Sequence, residues 1–227
     1  MTLEGTLKIH CISDLHGFYP KLQGGDLLII AGDLTRSDKL NQYIDLSEWL
    51  YTQDYRKIVI VAGNHDGEIM KKRIAWPLDG KISYLEDSGV EFEGLKIWGS
   101  PWTLWFRGMN PHCAAFTRHT DIELEEFYRK IPLDTDILVT HNPPYDILDG
   151  TSDGINAGSP SLRRRINEIE PALHVFGHIH EASGWIAKGN TTFINASIVD
   201  ENYKHVHTPT TYEKRTWSIS PPELLHK

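Results

Sequence analysis

Cysteine is scarce: among 227 residues there are only Cys11 and Cys113. That excludes a disulfide framework, and no CxxC pair is available to build a thiolate zinc site. Long hydrophobic runs are also missing. The longest, Leu27 to Ala31 and Ile58 to Ala62, fall far short of the ~20 apolar residues that span a bilayer. Met1 to His10 lacks the apolar core of a signal peptide. These absences lead us to expect a cytoplasmic protein without a membrane partner. There is no basic excess either, with 23 Lys and Arg against 31 Asp and Glu and a net charge of -8. Proteins that hold long nucleic acid by its phosphates usually carry one, so long DNA or RNA is not the expected partner. A small anion remains open, because bound cations reverse a local field. No GxGxxG follows a strand candidate, which leaves a dinucleotide-dependent oxidoreductase unsupported. Repeats and low-complexity segments are absent.

What is present reads as one ordinary globular domain. Hydrophobic residues make up 40% and charged residues 24%, enough apolar content at this length for a full core. We place a single domain over 1–227, its motif core over 7–200 and a C-terminal tail over 201–227. Leu7 to Ile12, Leu27 to Ala31, Ile58 to Ala62, Ile137 to Thr140 and Leu173 to Phe176 read as strands. Most are aliphatic without polar alternation, as expected of strands covered on both faces. In Leu7 to Ile12, Lys8 and His10 break the pattern. Helices are expected over Lys39 to Tyr51, Ile122 to Lys130 and Ser161 to Glu168, the last led by Ser159-Pro160. Ile82 to Trp98 reads as strands with turns at Asp87-Ser88-Gly89 and Glu93-Gly94. Gly184 to Asn195 reads as a hairpin turning at Lys188-Gly189-Asn190. Arg215 to Ile219 reads as a final strand. The interleaving predicts an α/β fold of strand layers covered by helices.

Each of the five principal strand candidates runs into a polar cluster. These clusters are Ser13-Asp14-Leu15-His16, Gly32-Asp33, Gly63-Asn64-His65-Asp66, His141-Asn142-Pro143-Pro144 and Gly177-His178-Ile179-His180. Ligands of α/β sheets bind beyond the carboxyl ends of strands, so five such ends suggest one shared site. Asp14 and His16 are two apart, as are His178 and His180. In extended chain such pairs project to one side. Glycines 32, 63 and 177 are expected to let the backbone turn tightly there. The donors are carboxylate, imidazole and amide oxygen, which suits Mn, Fe, Zn or Ni. Seven candidates, Asp14, His16, Asp33, Asn64, His141, His178 and His180, exceed the needs of one tetrahedral ion. Two divalent ions sharing a carboxylate use them better. A lone histidine at a strand end is more often structural than ligating; the ordered set of five blocks reverses that judgement.

The order DxH, GD, GNH followed by Asp, an isolated His and GHxH resembles the calcineurin-like metallophosphoesterase superfamily over Asp14 to His180. Trp98-Gly99-Ser100-Pro101-Trp102, Leu173 to Glu181 and Asn195-Ala196-Ser197 extend the likeness to small metallophosphoesterase-domain proteins of mammalian brain, themselves similar to class III cyclic nucleotide phosphodiesterases. That subgroup often has Gly where Asn142 stands, a departure expected to bear on loop shape or substrate preference. The resemblance implies a four-layer sandwich of two mixed β-sheets flanked by helices. It also implies that Asp14, His16 and His180 hold one metal, that Asn64, His141 and His178 hold the other, and that Asp33 bridges them.

Two metals, with Mn preferred, would supply hydroxide near neutral pH to attack phosphorus. His65 would then stabilise the phosphate and protonate the leaving alkoxide. Asp66 is a second catalytic candidate, either orienting His65 or facing away from it. Arg36, Asn64, His65 and Trp102 are the substrate-contact candidates. The expected reaction is hydrolysis of a phosphodiester in a small nucleotide such as a cyclic nucleotide. Alternatives are a phosphomonoesterase or nucleotide pyrophosphatase of the same mechanism, or a scaffold that keeps the fold without catalysis. Of the aromatic group Trp98, Trp102, Trp105 and Phe106, packing is the favoured role over base stacking. His10 and His174 are read as packing or surface residues. His112, His119, His205, His207 and His226 lie outside the motifs, with channel lining by His205 and His207 the less favoured reading. Arg163-Arg164-Arg165 is read as a solvated, salt-bridged face.

Overall fold

The computed structural model describes residues 3–76, 80–105 and 111–218. Strands β1 (Leu3–Ile12), β2 (Gly25–Ala31), β3 (Tyr55–Val61) and β4 (Ile82–Tyr84) run parallel to one another. Helix α1 (Leu40–Thr52) connects β2 to β3, and the one-turn helix α2 (Gly67–Met70) follows β3. Next come β5 (Ser88–Phe92), β6 (Leu95–Ser100) and the two-residue strands β7 (Thr103–Leu104) and β8 (Thr117–Arg118). Helix α3 (Asp121–Tyr128), β9 (Ile137–Thr140), α4 (Pro160–Ile169) and β10 (Leu173–Phe176) follow. The last described elements are β11 (Gly184–Lys188), β12 (Thr191–Asn195) and β13 (Thr210–Ser218).

Two large mixed sheets result, in the orders β13-β1-β2-β3-β4 and β11-β12-β10-β9-β6-β5. Alternation along the strands explains how they stack. Leu27, Ile29 and Ala31 of β2, with Ile9, Val59 and Val61, meet Ile97, Ile137, Val139, Leu173 and Val175 of the second sheet in an inter-sheet core. The intervening residues Leu28, Ile30, Ile58 and Ile60 point the other way and join Tyr43, Leu46 and Leu50 of α1. Leu138, Phe176 and Phe193 likewise join the apolar stripes of α3 and α4. The helices therefore cover the outer faces, and the expected layering is observed.

Local chemistry sets the helix ends. Thr120 and Glu123 form a reciprocal capping box at α3. Ser159 caps α4, with Pro160 in its first turn.

Two expectations need correction. Ser88 and Gly89 belong to β5, paired with Gly99 and Trp98; the turn is made earlier, with Asp87 in a left-handed conformation (φ 46°). The missing Cβ of Gly89 leaves room for the Trp98 ring. The final strand begins at Thr210, earlier than Arg215, because its register against β1 runs from Cys11↔Thr210 to Leu3↔Ser218. Ile219, Phe106 and His226 lie outside the described residues.

His10 and His174 are packing residues. His10 is buried and hydrogen-bonded to the Tyr55 hydroxyl. His174 is fully buried beside Phe176 and Phe193. The arginine run is salt-bridged in part: Arg164 meets Glu125, Arg165 meets Glu168, and Arg163 lies over the Phe193 ring.

Candidate metal centre and active-site cleft

The carboxyl ends of β1, β2 and β3 in one sheet and of β9 and β10 in the other open onto the same spot. Backbone bonds lace these ends together: Asp14 N–H donates to Gly32 O (3.0 Å), His16 N–H to Asp33 O (2.9 Å) and Gly177 N–H to His141 O (3.1 Å).

All seven ligand candidates converge there. Asp33 is 2% exposed, and its two oxygens face different imidazoles. Oδ2 lies 3.6 Å from His16 Nε2, and Oδ1 lies 3.4 Å from His141 Nε2. On one side, His16 Nε2 and His180 Nε2 are 3.4 Å apart, and His180 Nε2 is 3.3 Å from Asp14 Oδ1. On the other, Asn64 Oδ1 is 3.0 Å from His141 Nε2, and the His141 and His178 rings are 5.0 Å apart between centroids. Outer bonds aim the donors inward. His141 Nδ1 donates to Ala31 O (2.8 Å) and His180 Nδ1 to Asp200 O (3.0 Å), so each ring turns its Nε2 to the site. Asn64 Nδ2 donates to Cys113 O (3.0 Å), which leaves the amide oxygen facing in. That orientation suits ligation better than donation to a substrate.

The convergence does not arise as the spacing predicts. Asp14 (φ 55°), His16 (φ 43°), Asp33 (φ 53°) and His178 (φ 73°) all sit in the left-handed region, and His180 begins a 3₁₀ turn. Extended chain is therefore not what aligns the paired ligands; tight, strained turns do, and such strain collects at functional sites. The glycines act differently too. Of the three, only Gly32 has a positive φ (106°). A Cβ at Gly63 would fall on Asp33 Oδ1, and one at Gly177 on Asp14 Oδ2 and Ser13 Oγ. These two glycines provide room, not torsion.

The electrostatics follow from burial among unlike charges. Burial pushes the His16 pKa down to about 4 and the His178 pKa down to about 3, favouring neutral imidazoles with free electron pairs. Burial acts in the same direction on His141, but Asp33 and Asp14 outweigh it and raise its pKa to about 9. Burial disfavours the Asp33 carboxylate, yet His141 and His65 hold it well below the usual range. Groups of Asp14, His16 and His180, and of Asp14, Asp33 and His141, bring their donor atoms within 4.8 Å of one another, so they could hold metal ions.

His65 stands at the mouth, its side chain 15% exposed and its Nε2 3.9 Å from Asp33 Oδ2. It borders a cavity of about 530 Å³ lined also by His16, Gly17, Phe18, Arg36, Cys113, Asn202 and Tyr203. Arg36 is thus placed at the site, and it makes no ion pair with a described residue.

Two further candidates are corrected. Asp66 turns away from His65: its carboxylate accepts from Gly63 N–H (2.7 Å) and Leu34 N–H (3.1 Å). Burial and the nearby Asp33 raise its pKa to about 8. Trp102 does not line the cavity. It is 8% exposed, stacks on Phe127 at 3.9 Å with Arg118 beside it, and donates to Asp87 (2.9 Å). Asn142 also points away, accepting from Thr103 Oγ1 (2.7 Å) and Leu104 N–H (3.2 Å).

Sequence reasoning missed Phe18, Cys113, Asn202 and Tyr203. Cys113 acts through its carbonyl, which no side-chain pattern reveals. The signal for Tyr203 is the Asp200-x-Asn202-x-Lys204 turn, a polar spacing without hydrophobic periodicity.

A family model described as calcineurin-like phosphoesterase matches residues 7–182. Metallophosphoesterase domain-containing protein 1 of Homo sapiens is 34% identical over 90% of this chain and 70% of its own length. UPF0046 protein C25E10.12 of Caenorhabditis elegans is 31% identical over 92% of this chain and 82% of its own. Among solved structures, TT1561 of Thermus thermophilus superposes with a TM-score of 0.61 at 15% identity, over 84% of this chain and 89% of that one. At that identity the likeness speaks for the fold alone.

Proposed function

Because this chain belongs to the calcineurin-like phosphoesterase family, whose members use a dinuclear divalent metal centre, we propose that it hydrolyses a phosphodiester of a small nucleotide, such as a cyclic nucleotide. The observation that carries this reading is Asp33, whose two carboxylate oxygens face His16 and His141 separately, with His65 beside them at the cavity mouth. In this reading Asp14, His16 and His180 would hold one ion and Asn64, His141 and His178 the second, with Asp33 available to both. Two such ions, manganese by preference and iron, zinc or nickel otherwise, would supply Lewis acidity toward phosphoryl oxygens and a water of pKa about 7.

The protein's own groups do the rest. His65 donates its proton to the departing alkoxide oxygen. The Arg36 guanidinium pairs with a phosphate oxygen, since it lines the same cavity without a competing carboxylate. Asp66 holds the turns that carry Asp33 and His65. No helix among the described residues is long and apolar enough to cross a membrane. Cys11 and Cys113 are unpaired, and the cytoplasmic location remains part of this proposal.

The test pairs bis(p-nitrophenyl) phosphate with p-nitrophenyl phosphate, then 2′,3′- with 3′,5′-cyclic nucleotides, using the manganese-loaded protein. Preference for diesters supports the reading, and preference for the monoester makes the protein a phosphatase. His65→Ala should keep its metals but lose roughly 10²–10⁴-fold in turnover of the cyclic nucleotides, whose alkoxide leaving groups need a proton. An unchanged rate removes His65 as the acid.

A further inference from the structure

Two aromatic side chains that the mechanism does not use line the cavity. Phe18 is 45% exposed and Tyr203 is 55% exposed. Single exposed aromatics are common; two on one cavity beside the reactive groups are not explained by packing. Neither ring is loose. Phe18 lies flat against His205, with centroids 4.0 Å apart and planes at 14°. Tyr203 stands edge-on to His16 at 4.7 Å and to His180 at 5.3 Å.

The loop behind Tyr203 is fixed from several directions. Asp200 Oδ1 accepts from Asn202 N–H (2.9 Å) and Lys204 N–H (2.8 Å), and Asp200 O accepts from Tyr203 N–H (2.9 Å). The same carbonyl receives His180 Nδ1, which ties the loop to a candidate ligand. These bonds hold Tyr203 at φ 60°, an outlier for a bulky residue. The effect is to present an aromatic ring at the cavity rim.

We propose that Phe18 and Tyr203 form a shelf that stacks the planar base of a nucleotide substrate, which makes the Asp200–His205 loop the specificity element of this site. The inference rests on the phosphoesterase reading above. A cavity of about 530 Å³ is the size that takes such a molecule. In this proposal His16, His65 and Arg36 serve the phosphate and Phe18 and Tyr203 the base, with Asn202 able to meet a sugar or base edge; all six line the one cavity. Every base offers a π-face, so the shelf favours nucleosides over alkyl groups without choosing one base strongly.

The test compares thymidine 5′-(p-nitrophenyl phosphate) with methyl p-nitrophenyl phosphate on the manganese-loaded protein. Both release the same phenol, so the ratio of their kcat/KM values reads the nucleoside alone. Wild type should favour the thymidine ester, Tyr203→Ala and Phe18→Ala should each cut the ratio roughly tenfold, and Tyr203→Phe should retain it. No preference in wild type, or equal losses on both esters, overturns the shelf. If neither ester turns over, the phosphoesterase reading fails separately, and calorimetry with adenosine monophosphate and ribose 5-phosphate decides the shelf. Tighter binding of adenosine monophosphate, weakened in both alanine variants, supports it; equal binding of the two ligands overturns it.

Discussion

Asp33 joins the two halves of the site. It is buried, it turns one oxygen to each half, and its Oδ1 also accepts the His65 backbone N–H at 2.9 Å. An amide in its place would offer one oxygen and one nitrogen donor, and could not serve both halves alike. Asp33→Asn should therefore lower the metal content of both sites, measured as ions per chain after exhaustive dialysis. Two tightly held ions in that variant would contradict the sharing. The residue types of the site were legible in the sequence because metal chemistry demands them at strand ends. Side-chain direction was not. Asp66, Trp102 and Asn142 sit within or beside the motifs, but each answers to a partner from elsewhere in the chain: Leu34, Phe127 and Thr103.

Among the elements, the turn after β2 and the turn after β3 depend on one carboxylate. Asp66 takes N–H groups from both, and the Tyr43 hydroxyl of α1 lies 3.4 Å away. Asp66→Ala strands two buried donors, each costing about 1–3 kcal/mol. The variant should unfold at lower urea, while its residual activity keeps the wild-type dependence on leaving-group pKa. A changed dependence, like that expected of His65→Ala, would return Asp66 to the chemistry. The central strands β2, β3 and β9 were readable because nearly uninterrupted aliphatic runs have few other uses in a chain this polar, and β1 and β10 because apolar residues flank His10 and His174. β13 was read too short because Thr210 to Lys214 holds no aliphatic residue, only two threonines, Tyr212, Glu213 and Lys214. An edge strand needs no second buried neighbour, so hydropathy did not mark its start. β7 and β8, two residues each, exist only through their mutual pairing.

For the whole molecule, one contribution to acid stability comes from His174, a buried histidine outside the ligand set. Thr140 Oγ1 donates to Asn142 O (2.7 Å), so His174 Nε2 must donate to Thr140 Oγ1 (2.8 Å). Its Nδ1 finds no partner among the described residues. Burial, helped by Arg163, pushes its pKa down to about 3 from an ordinary 6.5. The unfolded chain thus takes up a proton that the fold refuses. The stability is intact above pH 6.5 and is lost as pH falls toward 3, by up to about 1.4 kcal/mol per pH unit. His174→Phe should flatten the decline of Tm between about pH 6.5 and pH 4. An unchanged slope would assign acid unfolding to other groups.

The pairing of β1 with β13 sets the order of synthesis against the order of assembly. A ribosome emits β1, the strand that leads into Asp14 and His16, before the other strands of both sheets, and emits its edge partner only after the second sheet has been made. Until then the outer edge of β1 is an open template for any extended chain nearby. A translation product stopped before Thr210 would contain every candidate ligand and still expose that edge, so a nascent chain can possess the full chemistry of the site before it is safe from its neighbours.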